Sequence, residues 1–111
     1  MNVAVTVRGE ITDAAVSAAR EGIARLERFA HAPVLGANVV LIEERNPKLA
    51  RPSRAEGEIN VNGHILRGHA AAAGMPQAID QLATNLQRQL SGFVGRHESS
   101  SRHPRDRQGP R

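Results

Sequence analysis

With no cysteine and only two aromatic residues, Phe29 and Phe93, among its 111, the sequence excludes a disulfide framework, a thiolate metal site, a cysteine nucleophile and base stacking on aromatic platforms. One domain is expected at this length, no apolar run approaches the ~20 residues of a membrane helix, and the segment Met1 to Arg8 lacks the charged start and cleavage site of a signal peptide, so a cytoplasmic protein is expected. The net charge of +4 is unevenly spread: residues 1–95 hold ten Lys/Arg against nine acids, and residues 96–111 hold five Arg against two.

The run from Val3 to Arg8 alternates, which predicts a strand with three valines on one face. Gly9 ends it. A helix follows, with Thr12 as N-cap, Asp13 in the first turn, and an apolar stripe of Val16, Ala19, Ile23, Leu26 and Ala30. Arg20, Arg25 and Arg28 fall off that stripe, interleaved with Glu21 and Glu27; a solvated, salt-bridged face and a phosphate-binding face both fit this pattern. His31, Ala32 and Pro33 stop the helix. A second strand from Ala37 to about Arg45 centres on Val39 to Ile42.

The segment from Arg45 to Arg54 carries Arg45, Lys48, Arg51 and Arg54 with no acid, and Pro47 and Pro52 keep it out of regular structure. A third strand resumes near Ala55, and Glu58 to Val61 alternates polar and apolar. Asn62-Gly63 predicts a two-residue type I′ turn, because both central residues need φ > 0. The return strand, His64 to about Ala72, puts Leu66, Gly68, Ala70 and Ala72 on one narrow face suited to close helix packing. Gly74 breaks it, Pro76 suits the first helical turn, and Ile79, Leu82, Leu86, Leu90 and Phe93 form one stripe of a second helix.

From His97 onward only proline and glycine interrupt polar residues, which predicts a disordered basic tail over 97–111 and a domain over 1–96. The order β-α-β-β-β-α implies an α+β domain, a four-stranded sheet with both helices packed on one face. Catalysis finds no support. His64 and His69 point to opposite faces of their strand, no carboxylate cluster joins them, and neither a GxSxG elbow nor a phosphate-cradling glycine loop occurs. No enzyme, cofactor or metal is expected.

Several segments resemble one family, the ribosome hibernation-promoting factors and ribosome-associated inhibitors of the S30EA / sigma-54 modulation group. Glu10 to Ala14 resembles the family's lead into its first helix, and Ala24-Arg25-Leu26-Glu27 its basic-Leu-Glu segment. Val61-Asn62-Gly63 with Leu66 resembles its last hairpin. Met75 to Leu82 and Leu86 to Leu90 resemble its second-helix pattern of methionine, alanine, Ile-Asp, leucine and Arg-Gln-Leu. The resemblance spans about residues 3–97. Asn85, Gly92 and Val94 stand at positions often basic in the family, and Pro76 where an aromatic is common.

The resemblance implies a fold like a double-stranded-RNA-binding domain. It also implies a non-enzymatic, stress-associated translation inhibitor that occupies mRNA and tRNA positions in the decoding region of the small ribosomal subunit. Arg25, Arg88 and Arg96 match basic family positions; Arg20 and Arg28 share the first helix, and Arg67 lies on the fourth strand. With Lys48, Arg51 and Arg54 from the charged loop, these are the expected rRNA contacts. Whether ribosomes are silenced singly or paired into dimers stays open, as does self-association. The alternatives are an RNA-binding module that never enters the ribosome and a protein-interaction domain using an exposed sheet edge.

Overall fold

A computed structural model describes the backbone of residues 1–102 and the side chains of residues 1–93. Its elements are β1 (Val3–Arg8), α1 (Asp13–Ala24), a 3₁₀ turn (Arg25–Phe29), β2 (Val34–Glu43), β3 (Ser53–Val61), β4 (His64–Ala72) and α2 (Met75–Arg102). The strands form one sheet in sequence order, β1 parallel to β2 and the rest antiparallel. Both helices pack on one side, α1 mainly against β1 and α2 against β3 and β4. The α+β order is as expected.

Local chemistry sets the element ends. The Thr12 hydroxyl accepts from the Ala15 N–H at 3.1 Å, capping α1. The helix then tightens into i→i+3 pairing at Arg25, a common way to end an α-helix. Leu26 stays buried through the change. Asn62 and Gly63 both take positive φ, 53° and 93°, and join Val61 to His64. That two-residue turn fixes the β3–β4 register, since pairing counts outward from it.

One boundary differs from expectation. β2 begins at Val34 rather than Ala37. Its first residues pair with the end of β3 through a bulge at Val34/Gly36, and the Asn62 N–H donates to the Pro33 carbonyl at 2.8 Å. A glycine that reads as a breaker in sequence is here the site of a bulge. α2 is described as far as Arg102. The remaining tail positions, 103–111, lie outside the described residues.

The core is aliphatic, as two aromatics dictate. Ile23, Leu41, Ile59, Leu82, Leu86 and Leu90 are each under 2% exposed, while Phe29 and Phe93 pack at its margin. α2 sits close to the sheet over a cross-strand pair of glycines, Gly57 and Gly68. A Cβ at Gly57 would stand 3.2 Å from Leu82 Cδ2, and one at Gly68 would stand 3.0 Å from Asn85 Oδ1. Gly57→Val should therefore push α2 off the sheet and cost about 1–3 kcal/mol of stability, as overpacking does. Chemical denaturation measures this; an unchanged midpoint would show that α2 does not seat there.

Candidate nucleic-acid interface

The cations singled out from the sequence fall on separate surfaces. Arg25 and Arg28 belong to the 3₁₀ turn, and with Glu21 they follow one face at spacings of four and three. That face opens into a groove of about 680 Å³ between the helices. Ala14, Ala15, Ala18 and Gly22 form one wall, and Ile79, Ala83 and Gln87 the other. The Arg28 guanidinium lies 5.0 Å from the Phe29 ring centroid, which holds it by a cation–π contact. Arg20 is exposed on α1 without lining this groove.

Arg88 lies elsewhere. Gln87 faces the groove, and one residue further round α2 Arg88 joins His69, Thr84 and Asn85 in a hollow over β4. Arg25 and Arg88 thus stand on different flanks. Lys48 and Arg51 are exposed on the β2–β3 loop, which turns on Asn46: its side-chain oxygen accepts from the Lys48 N–H at 3.0 Å, and its carbonyl from the Leu49 N–H at 3.1 Å.

Arg54 and Arg67 occupy the sheet face that no helix covers, and both are paired. Arg54 reaches Glu44 at 3.3 Å and Glu56 at 3.1 Å, and Arg67 Nε reaches Glu58 at 2.8 Å. Each such exposed pair adds only about 0–1 kcal/mol of stability, yet it neutralises the charge locally. Arg45 pairs with Glu10 at 3.3 Å. Arg20, Arg25, Arg28, Arg88, Lys48 and Arg51 make no ion pair with another described residue. Arg96 lies beyond the described side chains.

Sequence reading missed the acids of the groove. Glu10, Glu21, Glu43 and Asp80 line it alongside Arg25 and Arg28, and Glu43 Oε1 accepts from the buried Ser53 hydroxyl at 2.7 Å. Glu21 was readable, being one turn before Arg25. Glu43 and Asp80 reach the groove only through tertiary packing. His64 packs on Phe93 with ring centroids 5.2 Å apart, on the helix side, and no group of metal-ligating side chains occurs among the described residues. No described helix is long and apolar enough to cross a membrane.

Fold and cations together define a two-layer α+β domain that offers unneutralised guanidinium groups from its helical layer. The profile of the sigma 54 modulation protein / S30EA ribosomal protein family matches residues 3–98, and the chain belongs to that family of ribosome-associated factors. Among solved structures, the N-terminal domain of Thermus thermophilus Protein Y superposes with a TM-score of 0.68 at 29% identity, covering 84% of this chain and 99% of that one. A ribosomal subunit interface protein from Coxiella burnetii shares the fold, with a TM-score of 0.69, 14% identity and coverage of 86% and 99%. A search of curated proteins returned no match.

The pairing pattern separates the cations by experiment. Arg28→Ala should flatten the salt dependence of binding to an rRNA fragment by about 0.7–0.9 in log–log slope, the release expected for one lost phosphate contact. Arg67→Ala should leave that slope nearly unchanged. Anisotropy titrations across a salt series measure both, and equal flattening would mean that the sheet-face pairs open to take phosphate.

Proposed function

We propose that the protein is a translation inhibitor of the ribosome-hibernation type, which binds the small ribosomal subunit at its decoding region and blocks mRNA and tRNA positions by occupying them. Family membership over residues 3–98 and the likeness to Protein Y support a ribosomal role. The observation that carries the contact surface is the segregation of charge. Arg20, Arg25, Arg28 and Arg88 on the helical layer, with Lys48 and Arg51 on the β2–β3 loop, have no acidic partner among the described residues, whereas Arg54 and Arg67 on the sheet face do.

Guanidinium groups suit this task because their planar, always-charged fork grips phosphate oxygens from a rigid helix. Folded RNA hides its base edges in a deep major groove, so recognition runs through backbone and shape. Arg54 and Arg67 would contribute less than the helical arginines, having first to leave their carboxylates. Blocking by occupation needs no catalytic group and no cofactor.

Co-sedimentation with purified bacterial ribosomes and separated subunits, at low and moderate salt, tests the reading. Salt-sensitive recovery with the small subunit is expected; no recovery at low salt would overturn it. Arg25→Ala and Arg88→Ala should each weaken binding. Because the two residues stand on different flanks with no shared partner, their effects should add within about 0.5 kcal/mol. Strong non-additivity in the double variant would mean that both arginines serve one contact.

A further inference from the structure

We infer that the groove between α1 and α2 seats a basic peptide arm of a partner protein, with small apolar residues on the groove floor and cations toward the helix starts. It is independent of the ribosomal reading, except that Arg25 and Arg28, at one end of the groove, are shared with the proposed rRNA contacts. It rests on what lines the trough and on how its charges are arranged.

The trough is apolar and left open. Ala14 and Ala18 are exposed on one wall, and Gly22 adds no side chain beside them. Small side chains let a peptide backbone come close. From Asp13 to Phe29 the groove runs along α1 and its 3₁₀ turn, about 28 Å at ~1.5 Å per α-helical and ~2.0 Å per 3₁₀ residue, which an extended peptide of about eight residues would span at ~3.3 Å each.

Charge decides what kind of chain fits. Glu10, Glu21, Glu43 and Asp80 line the groove with Arg25 and Arg28, and Arg45 pairs with Glu10 at 3.3 Å, which leaves three carboxylates against two guanidinium groups. The protein as a whole carries +4, so a negative surplus here is a local feature. Glu21 and Asp80 make no ion pair with another described residue, and the Glu43 carboxylate is fixed by Ser53 at 2.7 Å. Repeated phosphates laid along this floor would meet carboxylates beside low-dielectric walls, where repulsion is strongest; arginine or lysine side chains would find partners already held in place. The arrangement is also polar. Glu43 lies with Met75, Pro76 and the Arg45-paired Glu10 at the helix starts, Asp80 and Glu21 lie further along, and Arg25 and Arg28 lie at the opposite end, where a peptide carboxylate would be held.

The test uses ¹⁵N-labelled full-length protein. The probes are a synthetic nonapeptide, arginines first, then alanine and leucine, ending in a free carboxylate, and an oligouridylate of matched length. The peptide should shift the amides of Ala14, Ala18, Gly22 and Ala83. The double variant Glu21→Gln/Asp80→Asn should weaken it about tenfold, the scale set by losing two close charge partners, while oligouridylate affinity holds or rises. Ala18→Trp, at an exposed site checked for folding by circular dichroism, should block the peptide by filling the trough. Peptide shifts confined to the sheet or the β2–β3 loop would overturn the inference. So would oligouridylate displacing the peptide while perturbing the same groove amides, which would give the trough to RNA.

Discussion

The seating of α2 on a bare patch of sheet governs the rest of the molecule. Gly57 and Gly68 are cross-strand partners, and their missing side chains make a dip into which Leu82, Leu86 and Asn85 settle. Asn85 also accepts from Gln89 at 2.7 Å, and the Gln89 amide donates to the Arg67 carbonyl at 2.6 Å, tying the helix to the outer rim of β4. With its height and rotation set, α2 turns Gln87 toward α1 and Arg88 away. The width of the inter-helix groove and the division of arginines between two flanks both follow from that contact.

Charge is sorted by layer. On the uncovered sheet face, strand pairing places Glu58 opposite Arg67, while Arg54 lies between Glu44 and Glu56, so the face balances itself. On the helical layer Arg20, Arg28 and Arg88 have no acid three or four positions away, and Arg25 makes no ion pair with a described residue although Glu21 stands four positions before it. A sheet brings cross-strand side chains within ~5 Å of one another, whereas a helix offers neighbours only three or four positions away. The secondary structure itself therefore decides which cations are left for a partner.

Much of the architecture could be read from local pattern. Asn62-Gly63 fixed the hairpin; counting outward from it reaches the Glu58–Arg67 pair, a step the sequence reading did not take when it placed Arg67 among the rRNA contacts. The two apolar stripes named the buried helix faces, and Ile23, Leu82, Leu86 and Leu90 are indeed buried. The role of Gly57 was not legible, because its reason is Leu82, twenty-five residues away. The start of β2 was missed because Pro33 and Gly36 look like punctuation on both sides of Val34 and Leu35. The charge balance of the basic loop was only partly legible. A run counts charges along the chain, whereas Arg45 pairs with Glu10 and Arg54 with Glu44 across the fold, and Arg54 also with Glu56 two positions along β3. The groove acids escaped notice for the same reason in reverse.

The parallel pairing of β1 with β2 bears on how the molecule is made. β2, β3 and β4 form a meander with short connections, so each pairing closes a small loop, but β1 can pair only after α1 and its 3₁₀ turn have crossed back. Contacts between distant segments carry the larger loop-closure cost and form later. During synthesis β1 thus emerges before the strand it pairs with, and its valines stay exposed until the chain has delivered β2. In the finished fold the same strand remains at the rim, its valines only half covered, and hydrogen exchange would find its amides opening before those of the meander.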